Sequence, residues 1–182
     1  MAVGKMSVMQ DMMASVEPQI PGLRRYARAL TGDVSSADDL VQDCLERVVS
    51  RWSQRRADGD VKSWLFTILH NLAVSQFRLA KRRGGHVAIE DASEDAVARA
   101  PSQEDGMRHR ELVARLDALP DDQRDVILLV TIEGLSYAEA ARVLDIPVGT
   151  VMSRLSRGRE RLLRSISADE PAHSVTHLRS VK

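Results

Sequence analysis

The residues best placed to do chemistry are hydroxyls and guanidiniums in the last third of the chain. Thr150, Ser153, Arg154 and Arg157 recur at three- and four-residue steps, so a helix would gather them on one polar face, with Val151, Leu155 and Leu162 on the apolar one. Donors on such a face can reach O6 and N7 of guanine as well as phosphate oxygens, and one good bidentate arginine discriminates between bases by about 1–3 kcal/mol. The alternative is a solvated amphipathic helix. Just upstream, Ser136-Tyr137-Ala138-Glu139 has the S-x-x-E form of a capping box, which satisfies two otherwise orphaned amides reciprocally. It predicts a short helix ending near Leu144. Leu144-Asp145-Ile146-Pro147 then makes a turn, and a second helix runs from about Val148 to about Ile166. Ala140 and Ala141 are small enough to let the two helices approach, and Gly149 lets backbone come near another group such as a phosphate. A capped helix, a tight turn and an arginine-bearing helix together predict a helix-turn-helix that reads DNA.

Other chemistry is poorly represented. Cys44 lies on an apolar stripe and is expected in a core; as the only cysteine it excludes an intramolecular disulfide and fits a reducing compartment. With His70, His86, His109, His173 and His177 it shows no zinc-ligand spacing, although His173 and His177 are four apart. There is no P-loop, nucleophile motif or dinucleotide fingerprint, so no catalytic residues, metal or cofactor are expected. Formal charge is zero, from 26 basic and 26 acidic residues, whereas free-standing DNA binders are usually basic. The balance is uneven locally. Six arginines between 142 and 164 face only Asp145 and Glu160, while Glu90, Asp91, Glu94, Asp95, Glu104 and Asp105 face only Arg99 between 86 and 106. No apolar run reaches membrane-spanning length, no signal-peptide core is visible, and a cytoplasmic location is expected without membrane insertion.

The elements that must position these residues are all helical. Residues 1–17 read as a loose tail. A first helix runs from about Gln19 to Leu30, stopped at Thr31-Gly32. Ser35 offers an N-cap for a second, whose first turn holds Asp38 and Asp39 and whose apolar stripe is Ala37, Leu40, Val41, Cys44, Val48 and Trp52. After a polar loop at 53–60, a third helix spans about Val61 to Arg82, with Val61, Trp64, Leu65, Ile68, Leu72 and Ala73 buried and Arg78, Lys81, Arg82 and Arg83 at its basic end. Gly84-Gly85 ends it. These three helices form one small bundle over 18–83. Residues 84–105, with Pro101 and many acids, form a flexible linker. A second domain covers 106–166. Met107, Leu112, Leu116 and Leu119 open it, Asp121 or Asp122 caps the next helix, and Gly134 ends that helix. Residues 167–182 read as a disordered tail. The fold class is therefore all-α, two small helical domains on a flexible tether.

The run Leu119-Pro120-Asp121-Asp122-Gln123-Arg124-Asp125-Val126 resembles the start of the −35-binding domain, region 4, of bacterial sigma-70-type factors. So do Glu133-Gly134-Leu135-Ser136-Tyr137-Ala138-Glu139-Ala140-Ala141 and Ile146-Pro147-Val148-Gly149-Thr150-Val151-Met152-Ser153-Arg154-Leu155. Ala37-Asp38-Asp39-Leu40-Val41-Gln42-Asp43 and Trp64-Leu65-Phe66-Thr67-Ile68-Leu69-His70-Asn71 resemble the family's other module, region 2. Two such modules on a short linker are similar to the extracytoplasmic-function (ECF) group, and the likeness spans about 18–165.

That resemblance implies a sigma factor that binds core RNA polymerase and directs initiation at promoter DNA. Asp38, Asp39, Leu40, Gln42 and Asp43 would dock on the polymerase clamp helices; the alternative is a solvated acidic face. Asn71 would contact a flipped −10 base, or else is an ordinary surface asparagine, while Lys62, Arg78, Lys81 and Arg82 would hold phosphates. Thr150, Ser153, Arg154, Ser156, Arg157 and Arg161 would meet the −35 element. An anti-sigma factor is the expected regulator, and the acidic linker would follow the path toward the RNA exit channel. There are departures: Asp145 stands in the turn where glycine is frequent, and Met152 and Ser156 stand where relatives often carry larger or basic groups. Two other functions compete, a helix-turn-helix regulator that acts without polymerase and a sigma mimic that titrates an anti-sigma factor.

Overall fold

Every regular element of the computed structural model is a helix among the residues it describes, which are 2–55, 59–82 and 111–169. The predicted linker at 84–105, Gly84-Gly85, Met107, His86, His109, and the histidines of the tail at 170–182 lie outside them. The residues expected as a loose tail form a helix, α1 (Ala2–Val16), which turns through Pro18 in a single 3-10 turn into α2 (Ile20–Thr31). Met12 and Val16 bury one side of α1, which is what holds it to the domain. Gly32, at φ +79°, closes α2 in the left-handed cap that its lack of a Cβ permits.

The helix α3 (Val34–Arg51) is capped by Asp33, not Ser35: the Asp33 carboxylate accepts the Ser36 amide at 2.9 Å. Hydrogen bonds from Ser36 hold that carboxyl below its usual range. Similarly, Asp60 accepts the Ser63 amide at 2.6 Å and opens α4 (Val61–Arg82). Between α3 and α4, Trp52 meets Trp64 edge-on at 6.1 Å and carries the Arg55 guanidinium 4.8 Å over its ring. The core of this domain is Leu23, Tyr26, Leu40, Cys44, Val48, Leu65, Phe66 and Leu69, each fully buried or nearly so. Tyr26 packs on Phe66 at 5.6 Å and bonds to His70 Nδ1 at 3.0 Å. Burial pushes the Cys44 thiol up to about 12.

The second domain begins with α5 (described over 111–117), followed by α6 (Asp121–Ile127). Neither Asp121 nor Asp122 caps α6. Pro120 occupies the cap, and both acids lie in the first turn, where Asp121 pairs with Arg124 at 2.9 Å. A π turn at Leu128–Ile132 and Gly134, at φ +69°, lead to α7 (Tyr137–Leu144). The capping box is formed in full: Ser136 Oγ accepts the Glu139 amide at 3.3 Å and Glu139 Oε2 accepts the Ser136 amide at 2.7 Å. Asp145, at φ 53°, makes the left-handed turn into α8 (Val148–Asp169), which extends past the expected end at Ile166. Gly158 brings α8 onto α6; a Cβ there would lie 2.7 Å from Ile127 Cδ1.

Ser136→Ala removes one half of the capping box and is expected to lower second-domain stability by about 1 kcal/mol, read as a shifted denaturant midpoint. A pH dependence should come from Asp125. Burial raises its carboxyl to about 7 against the attraction of Arg124. Its Oδ1 is buried with no hydrogen-bond partner among the described residues. The folded chain therefore holds this proton more tightly than the unfolded one. Stability is full below about pH 4, declines as pH rises, and levels off above about pH 7. At about 1.4 kcal/mol per unit the ceiling is about 4 kcal/mol, reduced by the water that reaches this half-buried residue. Asp125→Asn should flatten the decline in urea titrations run from pH 4 to 8; an unchanged slope would assign the decline to other groups.

Candidate nucleic-acid and polymerase interfaces

The turn between α7 and α8 is fixed from both sides. Ala140 and Ala141 are buried where α7 meets α8, and Ile146 donates its amide back to Ala141 at 3.0 Å. Val151 and Leu155 anchor α8 in the core, which turns Ser153, Ser156, Arg157 and Arg161 outward, with Thr150 half-buried beside them. At about 100° per residue these side chains share one face of α8. Arg157 Nε rests on the Ser153 carbonyl at 3.3 Å, and its remaining guanidinium donors face solvent. Gly149 is exposed, and a Cβ there would meet nothing within 4 Å, so backbone is open to an approaching strand.

Arg154 is placed differently. It lies at the edge of this face, half-buried, with Nε 3.1 Å from Asp122 Oδ2 on α6. It therefore ties α8 to α6, leaving a more restricted guanidinium than Arg157. Nothing in the sequence marked Asp122 as its partner, because the two are 32 positions apart.

On α4, Asn71, Arg78 and Arg82 are all exposed and, at steps of seven and four, fall on one face. Lys62 does not join them. It lies about half a turn around the helix from Asn71, half-buried, and donates its Nζ to the Glu133 carbonyl in the second domain. Lys81 lies on the same helix, but its side chain is outside the described residues. Of the loop at 55–60, residues 56–58 are likewise outside. Leu65, Ile68, Leu72 and Ala73 are buried as expected, Val61 and Trp64 are only half-buried, and Phe66 and Leu69, absent from the expected stripe, are fully buried.

The acidic face of α3 presents Asp38, Asp39, Gln42 and Asp43 to solvent, and an open groove beside them runs between Arg24 of α2 and Val41, Leu45, Glu46 and Val49 of α3. Asp38 pairs with Arg24 at 3.6 Å, and Gln76 of α4 donates to Asp43 at 3.4 Å. Leu40 corrects the expected set. Its side chain is fully buried in the α2–α3–α4 core, so it positions the acids and cannot touch a partner. The apolar surface is supplied instead by Leu45 and by Val49, which is 55 % exposed. Both continue the i, i+4 row that begins at Val41, a signal that was available in the sequence.

Two compact helical units, one ending in a capped helix-turn-helix and the other in a basic α4, define the two-module plan of sigma-70-type initiation factors. Residues 16–70 match the family model described as the Sigma2 domain of PhyR, and residues 109–162 match Sigma-70, region 4. The chain is 36 % identical to the ECF RNA polymerase sigma factor EcfG of Rhodopseudomonas palustris, over 90 % of this chain and 87 % of that one. It resembles the sigma factor RpoE of Bartonella quintana, solved in complex with the anti-sigma factor NepR. The TM-score is 0.74 at 32 % identity, covering 88 % of this chain and 99 % of the other. The anti-anti-sigma factor PhyR of the same organism, solved with NepR, shares the fold at TM-score 0.52 and 21 % identity, over 84 % of this chain and 49 % of the other. The chain belongs to the ECF RNA polymerase sigma factor family, whose members are transcription factors and not enzymes.

The geometry separates two arginines. Arg157→Ala should weaken promoter binding by about 1–3 kcal/mol without changing thermal stability. Arg154→Ala should lower both, since it also releases Asp122. Titrations of a −35 duplex alongside melting curves distinguish them, and equal melting losses in both variants would contradict the assignment.

Proposed function

We propose that this chain binds core RNA polymerase and directs transcription initiation at promoters carrying −10 and −35 elements, acting in the cytoplasm under the control of an anti-sigma factor. The observation that carries the reading is the α8 face, where Ser153, Ser156, Arg157 and Arg161 are exposed on a helix locked by a capping box and a left-handed turn. Thr150 and Arg154 flank that face and complete the −35 set. The −10 set is Lys62, Asn71, Arg78, Lys81 and Arg82 on α4, with one donor of Lys62 held by the Glu133 carbonyl and the others free for a phosphate. Base-edge pairing by the Asn71 amide would hold a flipped base, and the cations would hold the backbone. Asp38, Asp39, Gln42 and Asp43, with the Leu45–Val49 apolar strip, form the polymerase surface: acids around exposed aliphatics suit a basic, apolar helix pair. No described helix is long and apolar enough to cross a membrane.

One observation favours a second reading, a sigma mimic: residues 16–70 match the Sigma2 domain of PhyR. Against it stand the intact reading face of α8 and the 90 % coverage by a sigma factor relative. Promoter-specific run-off transcripts from core polymerase plus this protein establish sigma activity. Their absence on every template tested, together with capture of an anti-sigma factor, would establish the mimic. Asn71→Ala should slow open-complex formation, followed by permanganate reactivity of the −10 thymines, by about tenfold or more, while initial promoter binding changes little. Equal losses in both steps would remove Asn71 from the flipped-base role.

A further inference from the structure

One buried carboxylate bridges the two domains where α4 packs against α7. Glu133, in the turn ahead of α7, is only 5 % exposed although it is charged. Its carboxylate accepts a pair of hydrogen bonds from the Arg25 guanidinium of α2, at 3.1 and 3.0 Å. Its backbone carbonyl accepts Lys62 Nζ from the first turn of α4. Gly22 makes the room: a methyl group at that position would collide with Glu133 Oε2 and reach the Phe66 ring at 3.4 Å. A bidentate arginine, a second cation and a missing side chain, drawn from two helices of one domain, thus receive a single residue of the other.

The docked arrangement cannot serve a two-element promoter. Elements named for positions −35 and −10 are about 25 base pairs apart, or about 85 Å at about 3.4 Å per pair. A docked globule of this chain length has a radius of gyration of about 16 Å and an extent of roughly 40–50 Å. Lys62, moreover, has one of its three ammonium donors taken by the Glu133 carbonyl in this arrangement. Resting on the two-element reading above, we propose that Glu133 is an intramolecular latch. Seated against Gly22, Arg25 and Lys62, it holds the two domains in a closed conformer that must open before both promoter elements are engaged.

The test uses the full chain. Gly22→Ala places a methyl group against the carboxylate while favouring the α2 helix itself, and Arg25→Ala removes the guanidinium from a half-exposed position. Small-angle X-ray scattering should show a larger radius of gyration for both variants, with domain melting temperatures retained. Binding to a duplex carrying both elements, its −10 segment pre-melted by mismatches, should tighten by about tenfold, because the open fraction limits apparent affinity, while binding to a −35 duplex alone stays constant. An unchanged radius of gyration in both variants would overturn the latch. A larger radius with no gain on the two-element duplex, in protein that supports run-off transcription, would overturn its inhibitory role. If no run-off is obtained, the sigma reading fails by itself and the scattering result still decides whether Glu133 holds the domains together.

Discussion

A carboxylate withdrawn from water has to be matched by donors, and the packing around Glu133 is organised by that requirement. Arg25 supplies two donors, Gly22 supplies the space, and Lys62 takes up the carbonyl of the same residue. The packing of the second domain on α4 in turn explains the composition of that helix. A helix with one neighbour needs one apolar stripe, but α4 is covered by α2 and α3 on one side and by the second domain on another, so Phe66 and Leu69 are buried together with Leu65 and Leu72. The domain interface is built on the same side chains as the first domain's core: Phe66 touches both Tyr26 and the Gly22 site. Charge reaches across it as well, since Asp125 of α6 acts on the Tyr26 phenol, which burial holds well above its ordinary range.

Local signals read well from the sequence, and partnerships between distant residues did not. The capping box, the Gly32 and Gly134 stops, the left-handed Asp145 and the inward row of α3 all follow from residues within a few positions of one another. The misses share a cause. Asp33 and Ser35 are both competent caps, and only backbone geometry chooses between them. Leu40 reads equally well as a core residue or as a docking residue, and burial decides in favour of the core. Residues 2–16 have a weak amphipathic pattern, so their helix depends on packing by Met12 and Val16 that the local sequence could not announce. Glu133 is a lone acid before a glycine, with its partner 108 positions away. Periodicity carries no information about such a pair.

The neutral overall charge resolves into a basic set on α8 and α4 and an acidic set on α3. Exposed arginines gather on α8 and toward the end of α4, while the acids of α3 lie beside an aliphatic groove. Arg154 shows how cations within such a face can differ in kind: one held by Asp122 sets the pose of the helix, and one beside it remains available.

The sealed position of the lone thiol has a practical consequence. Cys44 is completely covered, leans on the Leu65 carbonyl at 3.7 Å, and is poor at forming a thiolate. Maleimides and mild oxidants act on thiolates they can reach. A cysteine introduced on the outer turns of α7 or α3 would therefore react alone with a dye or spin probe, and the native sulfur need not be mutated away first.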